Sequence, residues 1–513
     1  MSLGARLGKA IFWGQAGRLI EASLFFIFSL LLARALGPAS YGLYALGMGL
    51  AGVCGFLTLL GLGPETLGRF MPEIVSKGGQ NQARGLLKSL LAIRGAAILL
   101  FAAIIFSSRG AIGVRFHFPL YSGALALVLL LFASRSILDL LTYFSSGMLE
   151  LRRVAIAKLA TSFTAPCLFL IFWLRHAATA NAAWLALAGG SLMGILCLGF
   201  PILGVHPSSA SAGALPLRRI LAFGMFAWAT NFFVFILGDS TDVLLLGWLV
   251  ADRAAIGQYA VGAKIVFSLT GMLLGWVTLS SVATLSEAWQ QGGIDRLAAL
   301  VEAQWKLGVL CLVAPYLLLM RFAREIITIF YSSAYTPSIS VIQILSGLMI
   351  CGVLCGFSMQ AGILYALNHE RIACALVCGA AVFNITIEVF LVRSLGINGA
   401  AWATGLSFLL LAILCTAAGA LYVPLQVPAS FMGKVIVAAI LSVASTLWLR
   451  PESLRVLCGG CLLYGLVFVT SLVILKPLSS KDSASLHRVS RFAGKWAERL
   501  FVDMNVTAEE GRA

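Results

Sequence analysis

Apolar stretches of twenty or more residues recur from one end of the chain to the other, and that recurrence leaves few folds open. Runs such as 86–107, 120–145 and 399–421 are long enough to cross the hydrocarbon core of a bilayer, which takes about 20 residues of helix. In lipid each backbone amide must be satisfied within its own element, so the runs are helices and lone strands are excluded. Charged residues make up only 11% of the chain, against about 25% in a soluble domain. The fold class expected is therefore an all-α polytopic membrane protein. The runs number about fourteen, if 218–250 is taken as one broken span because its 241–250 piece is too short to cross alone.

One passage orders the rest. In LLLARALGPASYGLYALGMGLAGVCGFLTLLGLGPETLGRFMPE, residues 30–73, an apolar run ends near Ala33 and a second begins near Tyr41. Gly37 and Pro38 lie between them, and Pro38 has no N–H and a fixed φ. Gly47, Ala51 and Gly55 fall on one face of the second helix, a pattern that lets helices approach closely in lipid. Glu65, Arg69 and Glu73 mark a return to water.

The passage occurs again at 244–262, LLLGWLVADRAAIGQYAVG. Gly42, Tyr44, Ala45 and Gly47 align with Gly257, Tyr259, Ala260 and Gly262, and Glu73, Gly78 and Gly79 align with Glu287, Gly292 and Gly293. Two blocks at nearly one offset indicate an internal duplication. Six spans separate equivalent points, and six is even, so the copies share an orientation. Parallel repeats of this kind are related by an axis along the membrane normal. The expected organisation is an N-lobe over 1–217, a C-lobe over 218–425, two extra helices over 426–476 and a basic tail over 477–513.

Lys and Arg are in excess on the side that carries both termini and the long loops near 64–85, 204–217 and 285–302, which places both termini in the cytoplasm. The net charge of +16 belongs to these loops and to the tail, so nucleic acid is not an expected partner. Over 481–502 the tail sets Leu486, Val489, Phe492, Trp496 and Leu500 on one helical face with basic residues away from it, a pattern suited to an anionic leaflet. Cysteines lie mostly within apolar runs, and Cys458-Gly-Gly-Cys461 sits beside a span with no βαβ context, so core packing is the expected role. The first apolar run has no small-residue cleavage site and is expected to remain as a signal anchor.

Ionisable residues inside spans are costly and usually face a cavity or a partner. Arg18 and Glu21 lie three apart in the first span, Arg94 in the third, and Arg135 and Asp139 four apart in the fourth. Arg18–Glu21 and Arg135–Asp139 have the spacing of self-neutralised pairs, and Arg94 has the reading of a side chain that snorkels to the edge. Asp239 and Asp242 stand at the break in the seventh span with no basic residue within several positions, Lys264 being the nearest in sequence that could meet them. Glu388 lies one turn after Asn384. Arg18, Glu21, Arg135, Asp139 and Lys264 are the candidates for a substrate cavity. Asp239, Asp242 and Glu388 are the candidates for ion coupling.

The residues at 30–73, DVLLLGWLVADRAAIGQYAVGAKI at 242–265, FYSSAYTPSISVIQIL at 330–345 and LGINGAAWATGLSFLL at 395–410 together resemble the polysaccharide biosynthesis membrane proteins of O-antigen flippase type. These belong to the multidrug/oligosaccharidyl-lipid/polysaccharide (MOP) exporter superfamily. The resemblance runs over most of residues 10–420. Val243 stands where relatives commonly have a basic residue, and Trp248 where they have Gly or Tyr. The resemblance implies a MATE-like fold of two lobes and a transporter that flips a polyprenyl-pyrophosphate-linked oligosaccharide across the cytoplasmic membrane by alternating access. It implies no cofactor, a coupling proton or Na⁺ if transport is coupled, and a polysaccharide polymerase and glycosyltransferases as partners beside the lipids.

Chemistry agrees with that implication. A diphosphate-linked sugar cannot cross hydrocarbon unaided, and Arg18, Arg135 and Lys264 offer charge-assisted donors for the diphosphate. A lipid II flippase and a drug or metabolite cation antiporter of the same superfamily are the nearest alternatives. A membrane-embedded polymerase or ligase is remote: the loops are too short for a domain, and there is no H-E-x-x-H, P-loop or metal-spaced His/Cys cluster.

Overall fold

A computed structural model describes residues 3–116, 122–148, 150–203, 217–357 and 362–478. No β-strand occurs among the described residues. Eleven of their helices are long and apolar enough to cross a membrane, or twelve when the bent pair Trp228–Ile236 and Asp239–Leu249 counts as one span. That is below the fourteen expected. The difference has two visible sources. The first helix, Leu3–Leu57, runs on through a kink at Gly37 (φ 70°, ψ 170°), and the apolar Ser338–Leu354 helix has only 17 residues. The expected tail helix at 481–502 lies outside the described residues.

The breaks follow the sequence. Gly37 takes a left-handed φ that only glycine adopts freely, and Pro38 opens the next stretch. The seventh span divides as expected: Leu217–Ile236 is followed by Gly238 in extended conformation and then by Asp239–Leu249, bent by 54°. The supposed loops at 64–85 and 285–302 are helical instead. Pro64–Ser107 is one helix with Pro64 in its first turn, where proline is favoured. Arg253–Ile326 is interrupted only at Gly293 (φ 64°) and, near its end, at Phe322. Polar residues in both stretches are good helix formers, which their apparent loop character concealed.

The chain divides into two compact units, Met1–Val261 with Ile385–Ala400, and Gly262–Asn384 with Ala401–Ala513. In the first, helices are held by small-residue contacts, as expected where lipid supplies no hydrophobic drive. On Ala180–Leu203, a Cβ at Gly190 would lie 2.9 Å from the Thr161 carbonyl, and one at Gly194 would press on the Thr161 hydroxyl. Gly47 lies against the fully buried Trp184 ring, whose Nε1 donates to the Tyr44 carbonyl at 3.3 Å. Gly55, on the same expected face, meets nothing.

The duplicated element forms a reciprocal contact. A Cβ at Gly42 would overlap the Arg253 carbonyl, and one at Gly257 would overlap the Pro38 carbonyl. Pro38 and Arg253 are related by the same offset as Gly42 and Gly257. Each copy thus presents one patch to the same patch of the other, the signature of a two-fold relation. A second backbone contact, Gly61 against Gly224, lies beyond the other end of this helix.

The second unit is tied by side chains that reach free carbonyls. Arg321 donates through Nη2 to Thr446 (2.7 Å) and Leu449 (2.6 Å), closing the end of Ala429–Thr446. Tyr464 donates to the Ala314 carbonyl at 2.8 Å, and Trp305 to that of Val353 at 3.2 Å.

Candidate functional site

The first unit holds two groups of ionisable side chains within its spans. The first brings Arg94, Arg135, Asp139, Lys158 and Glu21 together. Arg94 is carried by Pro64–Ser107, Arg135 and Asp139 by Ser122–Gly147, Lys158 by Leu151–Leu174 and Glu21 by Leu3–Leu57. Asp139 sits in the positive field of Arg135, Arg94 and Lys158, with Glu21 opposing them. Lys158 Nζ donates to Glu21 at 3.0 Å, both side chains about one-third exposed. Three cations face two carboxylates, so the group carries surplus positive charge.

Arg94 is 1% exposed, and none of its guanidinium nitrogens meets a hydrogen-bond acceptor among the described residues. Its charge lies near Asp139 and the Tyr143 ring. The snorkelling reading of Arg94 is therefore replaced: the side chain runs inward, and its five donors are unused.

The second group is acidic. Asp242 and Glu388 are both fully buried. Asp242 lies in the first turn of Asp239–Leu249, just past the break, where the helix dipole favours negative charge. The Tyr259 hydroxyl donates to Asp242 Oδ2. The Glu388 carboxyl lies close enough to Asp242 for the two charges to act on each other, and neither Glu388 oxygen has a hydrogen-bond partner among the described residues. Two facing carboxylates repel when both are ionised. A shared proton or a bound cation removes that repulsion. The pair belongs to one copy of the duplication, because Tyr259 has Tyr44 as its counterpart whereas Asp242 falls opposite Ile27.

Three candidates remain. The Arg18 side chain lies outside the described residues, so the Arg18–Glu21 pair is not seen; Glu21 takes Lys158 of another helix. Lys264 is partly exposed and engaged, in the second unit. Asp239 is partly exposed at the start of its helix. Sequence reasoning missed Lys158, which stands at the entrance of its span like any interfacial lysine, and Tyr259 as a donor. The Gly-x-Tyr repeat was the signal that could have flagged Tyr259.

No protein-family profile matches the chain. A probable low-salt glycan biosynthesis flippase, Agl15, of Haloferax volcanii is 26% identical over 171 residues, 33% of this chain and 34% of the relative. The chain thus matches about a third of that relative's length. Among solved structures, the lipid II flippase MurJ in an inward closed conformation is similar with a TM-score of 0.67 and 13% identity, over 94% of this chain and 98% of that one. An inward-facing multidrug resistance MATE family transporter of the MOP superfamily gives 0.62 at 14% identity, over 78% and 94%. The MATE multidrug transporter DinF-BH in complex with R6G gives 0.56 at 14%, over 81% and 95%. The chain has the fold shared by MurJ and the MATE transporters and is a multi-pass membrane protein. The similar proteins are flippases and transporters, in agreement with the superfamily that the sequence resembles.

Proposed function

We propose that the chain flips a polyprenyl-pyrophosphate-linked oligosaccharide from the inner to the outer leaflet of the cytoplasmic membrane, by alternating access of lobes 1–217 and 218–425, for surface polysaccharide synthesis. The observation that carries this reading is the surplus positive charge of the intramembrane group, with Arg94 buried and its donors unused. A cation facing lipid costs at least about 2.5–3.5 kcal/mol, and a diphosphate is the substrate feature that would use it. A neutral or cationic drug has no such need. Arg18 would add to this charge. Both termini would be cytoplasmic, and a polymerase and glycosyltransferases would act before and after transport.

In this reading Asp242 and Glu388 carry a coupling proton or Na⁺, with Tyr259 as the fixed donor and Asp239 at the mouth of the break. A lipid II flippase is the second reading, favoured by the likeness to MurJ along nearly the full chain. Reconstituted vesicles loaded with either lipid-linked substrate separate the two. Arg135→Ala should abolish flipping of the oligosaccharide lipid at normal protein level, and Arg135→Lys should restore part of it, because charge returns without the bidentate fork. Normal flipping by Arg135→Ala and by Arg94→Met would reject the cationic site.

A further inference from the structure

A cavity of about 310 Å³ in the first unit is lined by none of the charged residues just described, although Tyr143, beside Arg94, forms part of its wall. The residues around it explain its shape. The helix ending at Leu57 is followed by a tight turn in which Leu60 (φ 45°) and Gly61 (φ 78°) are both left-handed. The Phe56 carbonyl accepts the Leu59 amide at 3.0 Å and the Trp228 indole N–H at 3.1 Å. That pair of bonds fixes the turn against Leu217–Ile236. Phe56 is stacked on Trp228 (6.1 Å, 22°) and on Phe235 (5.1 Å, 23°), which gives the cavity a nearly parallel aromatic wall.

The other walls are polar at three points. Asn231, Tyr143 and Thr66 line the cavity. Thr66 is fully buried, and its hydroxyl has no hydrogen-bond partner among the described residues. Gly61 and Gly224 close one side by backbone contact, with a Cβ at Gly61 only 2.5 Å from the Gly224 carbonyl carbon. Side-chain-free backbone there leaves room beside the rings.

Size and chemistry select the occupant. The volume is at the low end of ligand cavities, roughly 300–1,000 Å³, so it suits one ring and not an oligosaccharide. A lipid segment would use the apolar wall and leave Asn231 and the Thr66 hydroxyl with nothing to bond, a cost for each desolvated group. A pyranose has both kinds of surface: axial C–H groups that lie on aromatic faces and equatorial hydroxyls that reach amide and hydroxyl groups. We infer that this cavity is a binding site for a single pyranose ring, with the Phe56–Trp228–Phe235 wall as platform and Asn231, Tyr143 and Thr66 as hydroxyl partners. The identity of the ring as part of the transported glycan rests on the proposed function; the site itself does not.

Saturation-transfer NMR on the full-length protein, purified in a sugar-free detergent, tests it. The probes are the methyl glycosides of glucose, galactose, mannose and N-acetylglucosamine at millimolar concentration, with farnesol as an isoprenoid probe. At least one glycoside should receive saturation at its ring protons. That signal should fall about tenfold or more in Asn231→Ala and Trp228→Ala, the order expected for loss of an anchoring group, and largely survive in Trp228→Phe. Thr66→Val keeps the shape, removes a hydroxyl that has no protein partner among the described residues and should weaken the same signal. If Trp228→Ala fails to fold, Asn231→Ala and Thr66→Val decide. No signal from any glycoside overturns the site, as does a signal indifferent to Asn231→Ala and Thr66→Val, or a farnesol signal that Asn231→Ala and Trp228→Phe remove instead. Glycoside binding in a protein that flips no lipid-linked sugar would sink the proposed function and leave this site standing. Normal flipping with no glycoside binding would do the reverse.

Discussion

Replacement of Arg94 by methionine should leave the fold as stable as before or more so, while transport fails. The guanidinium is 1% exposed and makes no hydrogen bond among the described residues, so its removal returns a desolvation cost of several kcal/mol. What is lost is its attraction to Asp139. That attraction is duplicated in part, because Arg135 and Lys158 act on the same carboxylate. The net change should lie between neutral and a gain of about 1–4 kcal/mol, as when buried ions are exchanged for apolar side chains of similar volume. Asp139→Asn should behave in the opposite way. It leaves Arg94 buried without its nearest carboxylate and should cost about 3 kcal/mol or more. Thermal unfolding of both variants in one detergent at one pH, beside vesicle transport, measures the contrast. A loss of about 3 kcal/mol or more in Arg94→Met would refute the reasoning, for it would make Arg94 a structural partner of Asp139 and not a spare cation.

Three further outcomes are expected. Asp242→Asn and Glu388→Gln should insert and fold but flatten the dependence of transport on pH or Na⁺; an unaltered dependence in both would remove the pair from coupling. Gly42→Ala and Gly257→Ala should each lower stability by about 1–3 kcal/mol through overpacking, and the double variant by less than the sum, because one displaced seam relieves both; strict additivity in a thermal-shift series would contradict the reciprocal contact. Arg321→Ala gives up two charge-assisted bonds to the Thr446 and Leu449 carbonyls, each worth about 1.5–3 kcal/mol, and should destabilise the protein more than Arg321→Lys, as read by unfolding in detergent.

Local chemistry was legible in the sequence and distant pairing was not. The break before Asp239 could be read because a short apolar piece follows polar residues, and the kink at Gly37 because Pro38 follows it. The duplicated Gly-x-Tyr element announced a relation between two regions, and the structure returns it as the mutual contact of Gly42 and Gly257. By contrast the observed ion pair of Glu21 is with Lys158, 137 positions along the chain, while the Arg18 side chain lies outside the described residues. Nothing local marks such a partner. Arg94 was misread for a related reason: its depth depends on what Ser122–Gly147 sets beside it, not on its distance from the end of its own run. The stretches at 64–85 and 285–302 looked like loops because they are polar, yet polarity alone does not stop a helix.

The helix between Gly42 and Leu57 is fastened beyond each end by bare backbone, at Gly257 on one side and, through the turn at Gly61, at Gly224 on the other. The helical part is roughly 22 Å long at 1.5 Å per residue, most of the thickness of a hydrocarbon core. The two ends differ, however: beside Gly224 the Trp228 indole also donates to the Phe56 carbonyl and stacks on its ring, whereas the Gly257 end rests on backbone against backbone. The Gly257 end can part and re-form by a small slide, with little side-chain entropy to recover. The same helix can therefore act as a lever: the ring-clamped end is the pivot, and bulk added at Gly42 or Gly257 would weight it toward release of the other end.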